Sequence, residues 1–203
     1  MTNVEQAVAA GHEFRGWRLS HDLPIPDCDN VVAEAGLATG ADFLWWVEED
    51  VIPPAGALLA LFAMKADVAA VNYPVGEQGW SSIARNGDGY IYWCGLGCTL
   101  VRREVYERLA RPWCSTDTAY QIINQGNGVK GLRAFPSPEP PEKRYGRQDI
   151  YFFIRARQAG FGIVGIPDMV AGHAKVTRHG AEQTNHGAHD VAIHTTILRE
   201  QFV

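Results

Sequence analysis

The chain has 203 residues, 46% of them hydrophobic and 20% charged, with a formal net charge of −5. That balance predicts one globular domain over residues 1–203, long enough to bury a core, and argues against bulk attraction to nucleic-acid phosphate. No apolar run reaches the ~18 residues of a membrane span and no signal-peptide core opens the chain, so a cytoplasmic protein with reduced cysteines (Cys28, Cys94, Cys98, Cys114) is expected.

Val4 to Gly11 reads as a short helix and Phe14 to Ser20 as an aromatic-rich strand. Pro24 and Pro26 keep the next segment out of helix, and Asp27 or Asp29 can cap a helix from about Asn30 to Thr39, which Gly40 ends. Phe43-Leu44-Trp45-Trp46-Val47 is a continuous apolar run, the pattern of a strand buried on both faces in a central parallel sheet. Pro53-Pro54 open a helix to about Lys65, and Asp67 to Tyr73 is a second apolar strand. This alternation predicts an α/β fold with a mostly parallel sheet flanked by helices.

Tyr90 to Cys94 reads as a strand running into Gly95-Leu96-Gly97, and Thr99 to Val101 as a strand entering a helix at Arg103 to Leu109. Residues 124–146 carry Gly and Pro with little periodicity and are expected to form a loop near a site. Gln148 to Gln158 has helical amphipathicity that Gly160 stops, and Gly162 to Ile166 is a last strand ending at Pro167. The His-rich tail, residues 176–203, is expected to be a lid with a short helix from Ala188 to Gln201. Cys94-x-x-x-Cys98 has half of a zinc spacing, but no second pair follows.

The chemistry concentrates at Glu48-Glu49-Asp50. Three carboxylates in a row at the end of a buried strand repel one another and resist desolvation, and a cation relieves both costs. Hard oxygen ligands suit Mg²⁺ or Mn²⁺, which use one or two carboxylates together with substrate phosphates. Open α/β sheets also bind ligands beyond the carboxyl ends of their strands. Taken alone, the triplet reads equally as a solvated acidic turn.

The segment Ala41-Asp42-Phe43-Leu44-Trp45-Trp46-Val47-Glu48-Glu49-Asp50-Val51-Ile52-Pro53-Pro54 resembles the DxD segment of GT-A glycosyltransferases, particularly family-2-like ones. Three further segments match in the family's order. Gly95-Leu96-Gly97 through Val105 resembles the stretch that lines the sugar and acceptor pocket. Gly146-Arg147-Gln148-Asp149 resembles the "G-E-D" helix start, and Ile166-Pro167 through His173 resembles the ending that carries a metal-binding histidine. The resemblance covers roughly residues 29 to 175.

It implies a single GT-A domain with Glu48, Asp50 and His173 as ligands of Mn²⁺ or Mg²⁺. Asp149 would be the general base of an inverting transfer. Glu49, Gly95, Leu96, Gly97 and Gln148 would contact donor or acceptor, with Trp80 and Trp93 stacking on sugar faces. The implied partners are a UDP- or GDP-type nucleotide sugar and an acceptor hydroxyl on a glycan, protein, lipid or modified nucleic acid. Glu48 and Gln148 depart from the family's Asp and Glu, and Asp29-Asn30 stands where the family has Arg-Asn. Only 28 residues precede that point, so the base-binding strand is expected to be trimmed or supplied by a partner chain, which includes a second copy in a homo-oligomer. A non-catalytic nucleotide-sugar or carbohydrate-binding protein of the same fold is the alternative.

Overall fold

The computed structural model describes residues 1–20, 23–75, 79–86, 89–124, 130–140 and 147–174. Helix α1 (Asn3–Ala9) begins at a capping box in which Thr2 and Glu5 satisfy each other's backbone N–H groups. Then come α2 (Asp27–Leu37), β1 (Phe43–Val47), β2 (Val51–Ile52), α3 (Ala57–Ala63) and β3 (Val68–Asn72). Short strands β4 (Pro74–Val75), β5 (Trp80–Ser81), β6 (Ala84–Arg85) and β7 (Ile91–Trp93) lead to β8 (Cys98–Arg102) and α4 (Arg103–Arg108). A hairpin of β9 (Thr118–Asn124) and β10 (Lys130–Pro136) precedes α5 (Gln148–Gln158), and β11 (Ile163–Val170) and β12 (Gly172–His173) follow.

The main sheet has the order β1-β8-β3-β11. β8 runs antiparallel to both β1 and β3, while β3 and β11 are parallel. The fold is therefore α/β as expected, but the sheet is mixed rather than mostly parallel. The reason lies between β3 and β8. Among the described residues no helix crosses over there, and the chain re-enters the sheet at the end it left and runs back. Even so, β1, β3 and β11 point the same way, and their carboxyl ends share one edge.

Alternation along β3 divides the core. Val68 and Ala70 face a cluster with α5's Phe152 and Phe153 and α4's Val105 and Tyr106, whereas Ala69 and Val71 face α3's Leu58 and Leu61. Helices therefore cover both faces at β3, whereas two-faced burial was expected of β1. The expectation does not hold for β1. That strand lies at the sheet's edge with every residue half-buried, and among the described residues it pairs with β8 alone.

Several boundaries move for local reasons. Residues 12–20 form no strand; Phe14, Trp17 and Trp45 meet through their rings instead, at centroid distances of 5.3 and 6.2 Å. α2 starts at Asp27 with no side-chain cap, so Asp27 and Asp29 sit in its first turn rather than at its cap. α3 starts three residues after Pro54 because Gly56, at φ 79°, is left-handed and cannot be helical. Within the range 124–146, expected to be a loop, residues 130–136 form β10 paired with β9, and residues 125–129 and 141–146 lie outside the described residues. β11 continues past Pro167, which an edge strand tolerates, with a register shift between Ile166 and Val170. The expected helix at Ala188–Gln201, and the lid over 176–203, lie outside the described residues.

Candidate functional site

The shared edge of β1, β3 and β11 gathers residues that are remote in sequence. β1 runs into Glu48, β3 into Tyr73, and β11 into Ala171 and His173, while β8 starts at the same edge, with Val47 opposite Cys98. Backbone bonds hold these ends together. Glu48 N donates to Gly97 O at 3.2 Å and Ala174 N to Asp50 O at 2.7 Å, and β12 pairs with β2, placing His173 opposite Val51.

Asp50 Oδ2 lies 2.9 Å from His173 Nε2, and His173 Nδ1 lies 2.5 Å from Pro74 O. A carbonyl oxygen only accepts, so Nδ1 carries the hydrogen. A neutral ring then turns the lone pair of Nε2 toward a carboxylate oxygen. Two acceptors at this distance need a proton or a cation between them. The histidine side chain is only 14% exposed and that of Asp50 37%, so one end of the pair is sheltered and the other is reachable.

Tyr73 is buried beneath the Gly95–Gly97 turn. Its hydroxyl accepts from Gly97 N at 3.1 Å and donates to Glu48 Oε2 at 3.3 Å. A Cβ at position 95 would stand 2.0 Å from that hydroxyl oxygen, and one at position 97 would stand 2.7 Å from both Tyr73 Cζ and Val51 Cγ2. The two glycines thus admit the tyrosine, where a ligand was expected. Burial, and then the charge of Glu48, push the Tyr73 hydroxyl well up, so it stays a donor.

Three carboxyls share this region. Glu48 is pushed up to about 7 by burial first, then by the charges of Asp50 and Asp29. Asp149, half-buried in the first turn of α5 with Oδ1 2.7 Å from Ile150 N, is pushed up to about 7 by burial and then by Glu48. Asp29 is pushed up to about 6 by burial, and its Oδ2 is buried without a hydrogen-bond partner among the described residues. In the sequence Asp29 read as a possible helix cap and as the residue standing where the resembling family has Arg. Its one signal was an acid beside Asn30, whose amide group bonds Cys114 O at 2.9 Å and accepts from Trp113 N and Cys114 N at 2.9 and 3.0 Å, fixing the first turn of α2.

The remaining expected contacts scatter. Glu49 is exposed on the turn, and Trp80 is 68% exposed on β5. Leu96 is buried in the core, and Trp93, half-buried, packs against that core. Gln148 is buried at the start of α5 with Oε1 unpartnered among the described residues. No three His, Cys, Asp or Glu side chains among the described residues gather into a metal cage; the direct contact is the Asp50–His173 pair. Cys94 and Cys98 are free thiols in separate core clusters, in keeping with packing rather than half of a zinc site. No helix among the described residues is long and apolar enough to cross a membrane.

No family model matches this chain, and neither does any curated protein. Among solved structures, the crystal structure of A197 from STIV is similar, with a TM-score of 0.54 over 91% of each chain and 19% sequence identity. At that identity the likeness shows a shared α/β fold.

Proposed function

We propose that this chain is a metal-dependent glycosyltransferase that moves a sugar from a nucleotide-sugar donor to an acceptor hydroxyl, with inversion. The observation that carries the reading is the Asp50–His173 pair. His173 Nδ1–H is committed to Pro74 O, and Nε2 faces a carboxylate at the carboxyl edge of three co-directional strands. Asp50 and His173 supply two ligands of the kinds a divalent cation, Mn²⁺ or Mg²⁺, accepts, and Glu48, now held by Tyr73, would have to turn toward the pair to be a third. When bound, such an ion neutralises charge on the departing nucleoside diphosphate.

Asp149 supplies the base. A carboxyl raised to about 7 by burial and by Glu48 is matched to taking a proton from an acceptor hydroxyl near neutral pH. Tyr73 holds Glu48 by hydrogen bond, and Gln148 and the exposed Trp80 remain candidates for acceptor and sugar contacts. Gln148, neutral where the resemblance has Glu, favours the second reading of a non-catalytic nucleotide-sugar binder.

Incubating the purified chain with UDP- and GDP-sugars, with and without Mn²⁺, tests both. Slow metal-dependent donor hydrolysis that disappears in Asp50→Ala is the expected result. Metal-dependent binding without turnover selects the binder, and no metal-dependent binding at all ends the reading.

A further inference from the structure

The edge that carries the Asp50–His173 pair also carries a carboxylate turned elsewhere. Glu48 sits in the same tight turn as Asp50, closed by Val51 N donating to Glu48 O at 3.0 Å. Its side chain does not join the pair, since no three His, Cys, Asp or Glu side chains among the described residues gather to hold an ion. Instead Oε2 accepts from the Tyr73 hydroxyl at 3.3 Å. That hydroxyl accepts from Gly97 N at 3.1 Å, and Glu48 N donates to Gly97 O at 3.2 Å, so the three residues close a ring of hydrogen bonds. Tyr73 is 3% exposed, and its ring lies edge-to-face with that of His173, 5.6 Å between centroids. One tyrosine thus touches both the carboxylate held back and a member of the pair.

The members of this ring differ in what fixes them. The backbone of Glu48 is fixed by its bond to Gly97 and by the turn. Tyr73 is fixed by the glycines at 95 and 97, where a Cβ would stand 2.0 Å and 2.7 Å from tyrosine atoms. The Glu48 carboxylate, among the described residues, is held by one side-chain hydrogen bond, and it can turn about its own χ angles without moving the strand. One bond to a neutral hydroxyl is a weaker claim on a carboxylate than direct ligation of a divalent cation. Resting on the transferase reading, we propose that Tyr73 is a positioning residue that holds Glu48 back from the Asp50–His173 pair, so that Glu48 joins an ion on the pair only by leaving the Tyr73 hydroxyl. The hydroxyl keeps Gly97 N as its donor in both arrangements, so the glycine turn stays in place while the carboxylate swings. Tyr73 thereby weakens metal affinity, because completing the ligand set breaks a hydrogen bond.

Titration with Mn²⁺ alone, with the free ion followed by electron paramagnetic resonance, tests this in a double-mutant cycle. Tyr73→Phe should tighten Mn²⁺ binding about fivefold, roughly what one such hydrogen bond is worth. Glu48→Gln should weaken it about tenfold or more. In the Glu48→Gln background, Tyr73→Phe should change the affinity by less than about twofold, because the carboxylate it would release is gone. A tyrosine that only packs the turn would shift both backgrounds alike. Should Tyr73→Phe fail to fold, the Gly97 amide of the unaltered chain can be followed by nuclear magnetic resonance as diamagnetic Mg²⁺ is added. Saturation should move that resonance, since the hydroxyl to which Gly97 N donates loses its carboxylate partner. An unmoved Gly97 amide, unchanged or weakened Mn²⁺ binding in Tyr73→Phe, unchanged binding in Glu48→Gln, or equal shifts in both backgrounds overturns the proposal and leaves the transferase reading to its own donor assay. An unaltered chain that takes up no Mn²⁺ also overturns it. If that chain shows no metal-dependent binding of any nucleotide sugar either, the transferase reading falls with it.

Discussion

Asp149→Asn tests whether the charged form of this carboxyl is tolerated only at a cost. Its ordinary value of 3.8 rises to about 7 in the fold, with burial the main cause. Between those values the folded state holds a proton that the unfolded state has released. The stability contributed by protonated Asp149 is therefore complete below about pH 4 and is lost as pH rises through about 7. At about 1.36 kcal/mol per pKa unit, the ceiling is about 4 kcal/mol. Partial exposure and the shared titration with Glu48 reduce this, and about 2 kcal/mol is the working figure. In a chain of this length 1 kcal/mol moves the melting temperature by roughly 2–4 °C. Calorimetric melts at pH 5 and 8.5 should therefore show Asp149→Asn melting about 4–8 °C above the unaltered chain at pH 8.5 and above it by roughly a third of that margin at pH 5, where the unfolded chain has already released its proton. An unchanged pH slope in the variant, or an unaltered chain that becomes more stable as pH rises, would refute the reasoning.

Gly97→Ala should destabilise by about 1–3 kcal/mol in denaturant melts, because its Cβ would meet Tyr73 and Val51 at 2.7 Å. Tyr73→Phe removes the partner of both Gly97 N and Glu48, and should cost about 1–3 kcal/mol in the same assay while leaving the fold's circular dichroism intact. His173→Ala should abolish the rise in melting temperature that Mn²⁺ plus a nucleotide sugar gives the unaltered chain. At 100 times its Kd that ligand should add about 2.7 kcal/mol of stability, well within detection. A variant that keeps the whole rise would remove His173 from the site.

How much of the site could be read in the chain depended on distance along it. Glu48 and Asp50 follow directly from the apolar run of β1, so the cost of three adjacent carboxylates is visible in one segment. His173 and Asp149 came from resemblance, since no local pattern ties residues 123 positions apart, as Asp50 and His173 are. The burial of Asp29 was missed because an acid in the first turn of a helix looks the same whether it faces solvent or the interior. The glycines at 95 and 97 were rightly marked as places of close approach, but local sequence does not say what approaches them, and here it is Tyr73.

The chain's apolar periods and turn residues were sufficient by themselves to predict α/β alternation, α5 from Gln148 to Gln158 and the strand at Phe43 to Val47. Those features rest on local sterics and on which side chains avoid water. The direction of β8, the edge position of β1, the β9–β10 hairpin and the meeting of Asp50 with His173 were decided only in three dimensions. Each depends on which strand ends are brought together when the core closes, and contacts between distant segments leave no period in the sequence.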